Sequence, residues 1–162
     1  EPGADVALDA ELNVFTRDNE NDGGASRIRV YHCFHGSEHG YPFLYDTRPE
    51  EAMPPLADLG LGTSAGCVFY LERQFPPEYR GDAFAAEHGS WNRSKRTGYK
   101  VIRIRIKDGK PTGEYEDFVT GFVVSDTEVW GRPVGVAVAK DGSLLVSEDG
   151  NGTIWRVTST RQ

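Results

Sequence analysis

Short apolar runs, broken every few residues by Asp-Gly or Gly-rich turns, recur along this chain and leave β-structure as the only regular fold it can build. Val6-Ala7-Leu8, Leu12-Asn13-Val14-Phe15 and Arg27-Ile28-Arg29-Val30 are three such runs. Lys100-Val101-Ile102-Arg103-Ile104-Arg105-Ile106 and Thr153-Ile154-Trp155-Arg156-Val157 are two more. The longer ones alternate with period two, as half-buried strands do, and no segment keeps the 3.6-residue period of an amphipathic helix. Asp108-Gly109, Asp141-Gly142 and Asp149-Gly150 are expected to supply the positive φ of tight hairpins. The 19 Gly and 9 Pro agree with many turns rather than long helices.

Overlaying the runs exposes a repeat: a strand, a turn, a second strand ending in an acid, a Gly-rich loop, then a third strand with Arg between apolar residues. The copies are residues 6–30, 67–106 and 134–157, their first strands 61 and 67 residues apart. Their second strands end at Arg17-Asp18, Glu87 and Glu148. Blades of a β-propeller take about 40 to 50 residues for four strands, so three blades with loop insertions fit 162 residues. The expected fold is therefore all-β, a partial propeller over residues 1–162 with about three four-stranded blades. A plain meander repeats hairpins in the same way and is the alternative. Residues 31–65 are the least regular, holding three of the four His and Pro54-Pro55, and are expected to form a long loop insertion. Closed propellers have about 4 to 8 blades, so three blades expose sheet edges that more chain must cover.

Charge and cysteine narrow the function. With 25 acidic against 18 basic side chains the net charge is −7, which excludes a general binder of nucleic acid or anionic membrane and leaves only local basic patches. Cys33 and Cys67 form neither a disulfide framework nor a CxxC site. Apolar stretches such as residues 67–71 and 134–139 fall far short of the ~20 residues of a membrane span. The start, Glu1-Pro2-Gly3, has no initiator Met or signal-peptide core, so a processed product or a piece of something longer is expected. His32, His35 and His39 would share a face only on a helix, against which Gly36 and Gly40 argue.

Three segments together resemble the soluble pyrroloquinoline-quinone (PQQ) sugar dehydrogenases of the sorbosone or aldose dehydrogenase-like branch. The first is Gly81-Asp82-Ala83-Phe84-Ala85-Ala86-Glu87-His88-Gly89-Ser90-Trp91-Asn92-Arg93-Ser94 with Gly98-Tyr99-Lys100-Val101. The second is Trp130-Gly131-Arg132-Pro133-Val134-Gly135-Val136, running into Asp141-Gly142-Ser143 and Ser147-Glu148-Asp149. The third is Arg17-Asp18-Asn19-Glu20-Asn21-Asp22-Gly23-Gly24 with Gly40-Tyr41-Pro42. The third, with Pro54-Pro55-Leu56-Ala57-Asp58, also looks like the propeller domains of related haem-binding proteins, although no haem motif is present here. The match is collinear over most of the chain and corresponds to the C-terminal half of a six-bladed ring.

That resemblance implies a sugar or aldehyde dehydrogenase that uses PQQ and Ca2+, is exported to the periplasm or beyond the cell, and needs an N-terminal half-propeller, a second copy or a larger complex to close. PQQ is a planar o-quinone with three carboxylates, so cations, a flat surface and a Lewis acid are the groups to look for. By resemblance the cofactor-binding Lys falls in the basic loop of residues 92–96, with Lys95 the nearest match and Arg93 its rival; a solvated hairpin tip is the other reading. Arg132, beside Trp130, matches the first of two cofactor-facing Arg residues, while the second position holds Val134; pairing with an acidic neighbour is the alternative. Asp22-Gly23-Gly24 aligns with the loop whose carbonyls hold calcium, and ordinary turn chemistry is its alternative. The family's Arg-Asn pair and catalytic His would precede Glu1, which leaves His88, after a strand and beside the basic loop, as the one candidate base; a hydrogen-bonded structural His is the other reading. A non-catalytic propeller subunit, binding a partner or glycan or serving a larger assembly, is the competing function.

Overall fold

A computed structural model describes residues 5–18, 28–40, 48–60, 63–90 and 95–160. Among them are eleven strands and no α-helix. Strands β1 (Val6–Leu8), β2 (Val14–Arg17), β3 (Ile28–Cys33) and β4 (Ala57–Gly60) make one antiparallel sheet in chain order. Strands β5 (Ser64–Phe69), β6 (Ala83–Glu87), β7 (Lys100–Lys107) and β8 (Lys110–Val119) make the second. The third holds β9 (Pro133–Val138), β10 (Leu144–Glu148) and β11 (Thr153–Val157). The sheets are three successive blades, the last with three strands among the described residues. The only helical pieces described are 3-10 turns at Pro49–Glu51 and Pro77–Tyr79, far too short to cross a membrane.

The repeat maps onto the first three strands of each blade. Its fourth strands were invisible in the pattern. Ala57–Gly60 is four residues long and follows Pro54-Pro55, while Lys110–Val119 is rich in charge, as outer-edge strands are. The irregular insertion expected over residues 31–65 is accordingly narrower: residues 31–33 finish β3, residues 57–60 form β4, and residues 64–65 begin β5.

Two apolar layers glue the blades together. Ala7, Phe15, Ile28, Val30, Ala57 and Leu59 of blade one meet Phe69, Ala83, Ala85, Ile102 and Ile104 of blade two. On the opposite face of blade two, Tyr70, Phe75, Phe84 and Val101 meet Leu144 and Val146 of blade three. Period two explains the division, because Ala83 and Ala85 face one way and Phe84 the other. All five residues of β6 are buried, as a central strand covered on both faces requires. First strands lie innermost, and Gly66 of β5 approaches Gly135 of β9 so closely that an added Cβ would come within 2.8 Å of the Gly135 Cα.

Turn chemistry follows the expectation at Gly109 and Gly142, both with positive φ. The third hairpin differs, since the positive φ belongs to Gly152 and not Gly150. Gly150 is there for space: a Cβ on it would lie 3.0 Å from the Glu148 carboxylate.

Candidate functional site

In an up-and-down blade the first strand starts, the second ends and the third starts at one rim. Every described candidate lies at that rim: Trp130 and Arg132 before β9, His88 after β6, and Lys95 in the β6–β7 connection. Arg93 and the Asp22, Gly23 and Gly24 loop lie outside the described residues.

Arg132 and His88 are 44 residues apart in the chain, and one carboxylate brings them together. Arg132 Nε lies 2.8 Å from Asp149 Oδ1, and His88 Nε2 lies 3.2 Å from both Asp149 oxygens. The ion pair meets the guanidinium at its Nε edge, and the side chain is 44% exposed. Backbone geometry is held by the preceding acid. Buried Glu148 accepts the N–H groups of Arg132, Asn151 and Thr153. Burial pushes its carboxyl up, and these donated hydrogen bonds outweigh that, leaving it below the usual carboxylate range.

Trp130 is fixed as a half-exposed plate. Its indole N–H donates to the Gly121 carbonyl at 2.5 Å, and its ring stacks on Phe122 at 5.1 Å and meets Trp155 edge-on at 5.3 Å. Asn151 Nδ2 donates to its carbonyl, tying the plate to the β10–β11 turn. Lys95 is exposed and makes no hydrogen bond or ion pair with the described residues, so it does not join the group around Asp149.

The acids that close the three second strands do three different jobs. Asp18 pairs with Arg29 and takes its backbone N–H at 2.7 Å. Glu148 caps backbone, as above. Glu87 accepts the Ser64 hydroxyl at 2.9 Å and faces Arg17 at 3.6 Å, across the boundary between blades one and two. Burial lifts the Glu87 carboxyl to about 7, against the pull of Arg17, Ser64 and Lys100. Asp149 was missed as a site residue by sequence reasoning, which treated it as turn chemistry; the signal was the unexplained second acid after the repeating one. Of the histidines outside the site, His32 stacks on Phe15 at 4.9 Å and His39 packs on Tyr31 at 4.5 Å.

With this geometry in view, comparison with known proteins identifies the lineage. A family model described as TrAA12-like matches residues 66–160, which span blades two and three. The chain belongs to the TrAA12-like family. A curated relative, an uncharacterized protein of Borreliella burgdorferi, is 34% identical over 151 residues, and the alignment covers 91% of this chain but 38% of that protein. The PQQ domain of pyranose dehydrogenase from Coprinopsis cinerea, in holo form, has a TM-score of 0.73 at 19% identity, covering 97% of this chain and 53% of that one. A calcium structure of the Trichoderma reesei AA12 enzyme has a TM-score of 0.68 at 14% identity, covering 94% and 50%. PQQ-bound aldose sugar dehydrogenase from Streptomyces coelicolor has a TM-score of 0.66 at 15% identity, covering 93% and 41%. This TrAA12-like chain therefore has the fold of the PQQ sugar-dehydrogenase propellers, as its motifs implied, and spans about half the length of such chains or less.

Proposed function

We propose that the chain is part of a PQQ- and calcium-dependent enzyme that oxidises a sugar or aldehyde, and that blades two and three contribute the cationic wall of its cofactor site. One observation carries the reading: the half-exposed Arg132 guanidinium stands at the rim with Asp149 against its Nε edge, and a guanidinium placed so can engage a carboxylate through parallel N–H donors. The half-exposed Trp130 ring beside it suits a planar ligand. These residues fit a polycarboxylate quinone, which when bound supplies the acceptor for a hydride from the substrate.

The chain's own residues bind and orient. Arg132 holds a carboxylate, Asp149 keeps the guanidinium turned to it, and Glu148 fixes the Arg132 backbone. His88, engaged by Asp149, steadies that acid, and the base that removes the substrate's hydroxyl proton comes from outside these residues. Calcium belongs to the Asp22, Gly23 and Gly24 loop on the resemblance alone, and among the described residues no cluster of three or more His, Cys, Asp or Glu stands ready for a metal. On the same resemblance the working compartment is the periplasm or the extracellular space, and the ring is completed by an N-terminal half-propeller, a second copy or a larger complex.

Adding PQQ and Ca2+ to the protein and following quinone reduction with glucose or sorbosone tests the reading. Saturable PQQ binding that weakens about tenfold or more in Arg132→Ala supports it. Binding without reduction points to the non-catalytic module, and no binding at micromolar PQQ overturns the cofactor site.

A further inference from the structure

At the same rim, on the outer part of blade two and beside Leu59 of blade one, lies a cleft of about 450 Å³, large enough for a small ligand. Its walls come from the start of β7, the end of β8 and the segment from Thr120 to Val123. Consecutive residues serve the two places: Glu87 lines this cleft, while His88 turns to Asp149 and Arg132.

The cleft is built rather than left over. A bulge in the β7–β8 pairing falls between Val101/Ile102 and their partners Val119 and Asp117. It turns Phe118 into the core, 4.5 Å from Phe84, and Asp117 outward to Lys100 Nζ at 2.5 Å. Tyr115 is 39% exposed, and its hydroxyl donates to the Leu59 carbonyl at 3.3 Å, so the ring is pinned as a face. Lys100 Nζ sits 6.0 Å from the centre of that ring. Arg96 braces the far wall through Nε to the Asp126 carbonyl and Nη2 to the Thr127 carbonyl, both at 3.1 Å, which fixes its position.

The result is a fixed aromatic face beside an adjoining donor and acceptor whose charges cancel. An ion gains little from a neutralised Lys–Asp pair. A pyranose fits it: its weakly positive C–H face lies on the negative ring face, and its hydroxyls, which both donate and accept, meet Asp117 and Lys100. We propose that this cleft is a saccharide-binding subsite, separate from the Arg132–Asp149–His88 group, that takes a neutral pyranose unit against Tyr115, Lys100 and Asp117. The choice of a saccharide rests in part on the sugar-oxidising reading.

The test is a titration of the intact protein with cellobiose and with maltose, without PQQ, followed by NMR shifts. Saturable shifts are expected for at least one of them, with affinity lowered about tenfold or more in Tyr115→Ala and Asp117→Asn and kept in Arg132→Ala. Asp117 is half exposed, so Asp117→Asn decides the matter should Tyr115→Ala fail to fold. No saturable shift up to about 50 mM, equal affinity in Asp117→Asn, or loss in Arg132→Ala each overturns the subsite. With PQQ left out, saccharide binding by a chain that binds no quinone keeps this inference and sinks the cofactor site, and the reverse pattern does the opposite.

Discussion

Arg132 shows how much one residue's role depends on its neighbours. Alone it is a surface cation; with Asp149 against Nε its guanidinium is held in one direction. Asp149→Ala is therefore expected to weaken PQQ binding about tenfold with little change in thermal stability, since both partners are nearly half exposed; fluorescence titration beside a melting curve checks this. Glu87 behaves differently because it is buried. Its folded pKa of about 7 lies above the ordinary 4.5, so between those values the native state binds a proton that the unfolded chain has released. Its contribution is complete below the lower value and is lost as pH rises through the upper one. The unfolding free energy from urea titration should fall between about pH 5 and about pH 8, by on the order of 2 kcal/mol, and the fall should shrink in Glu87→Gln, which keeps an acceptor for Ser64. Had the carboxyl an ordinary pKa, the parent and variant profiles would run parallel.

Strands and turns were legible in the sequence where one face is apolar and the other polar, as in β2, β7 and β10. They were illegible at β4 and β8, whose outer position asks for charge rather than alternation. Two element-level contacts set how the blades meet. The hydroxyl of fully buried Tyr70 donates to the Gly142 carbonyl at 2.9 Å and accepts the N–H groups of Gln74 and Phe75, both at 3.0 Å, so it pins blade two to the β9–β10 turn. Tyr70→Phe strands these partners and is expected to cost roughly 1 to 3 kcal/mol in urea unfolding. Gly66→Ala forces a methyl against the Gly135 backbone, where no flexible side chain can yield, and should lower stability by roughly 1 to 3 kcal/mol with the fold retained. A neutral result would mean the inner strands are further apart than described.

On the scale of the whole molecule, the described residues leave the outer faces of the end blades uncovered. Val6 and Leu8 point away from blade two on β1, and Ile154 does so on β11, with relative exposures of 59%, 50% and 69%. Such apolar sheet faces and edges favour association, so native mass measurement at micromolar concentration should find a species heavier than the 17.9 kDa chain. Replacing both Val6 and Leu8 with Glu should shift it toward the monomer, and a parent chain that is already monomeric would contradict this. The amino-acid order alone determined the first three strands of each repeat, the threefold repeat itself and the all-β class, because period-two burial and turn conformations are local properties written residue by residue. Only the tertiary structure decided that Arg132 and His88 share Asp149, that Glu87 sits buried opposite Arg17, and that Lys95 stays apart. Those outcomes depend on blades stacking through long-range packing, and no local pattern encodes which rim residues the stacking brings within hydrogen-bond reach.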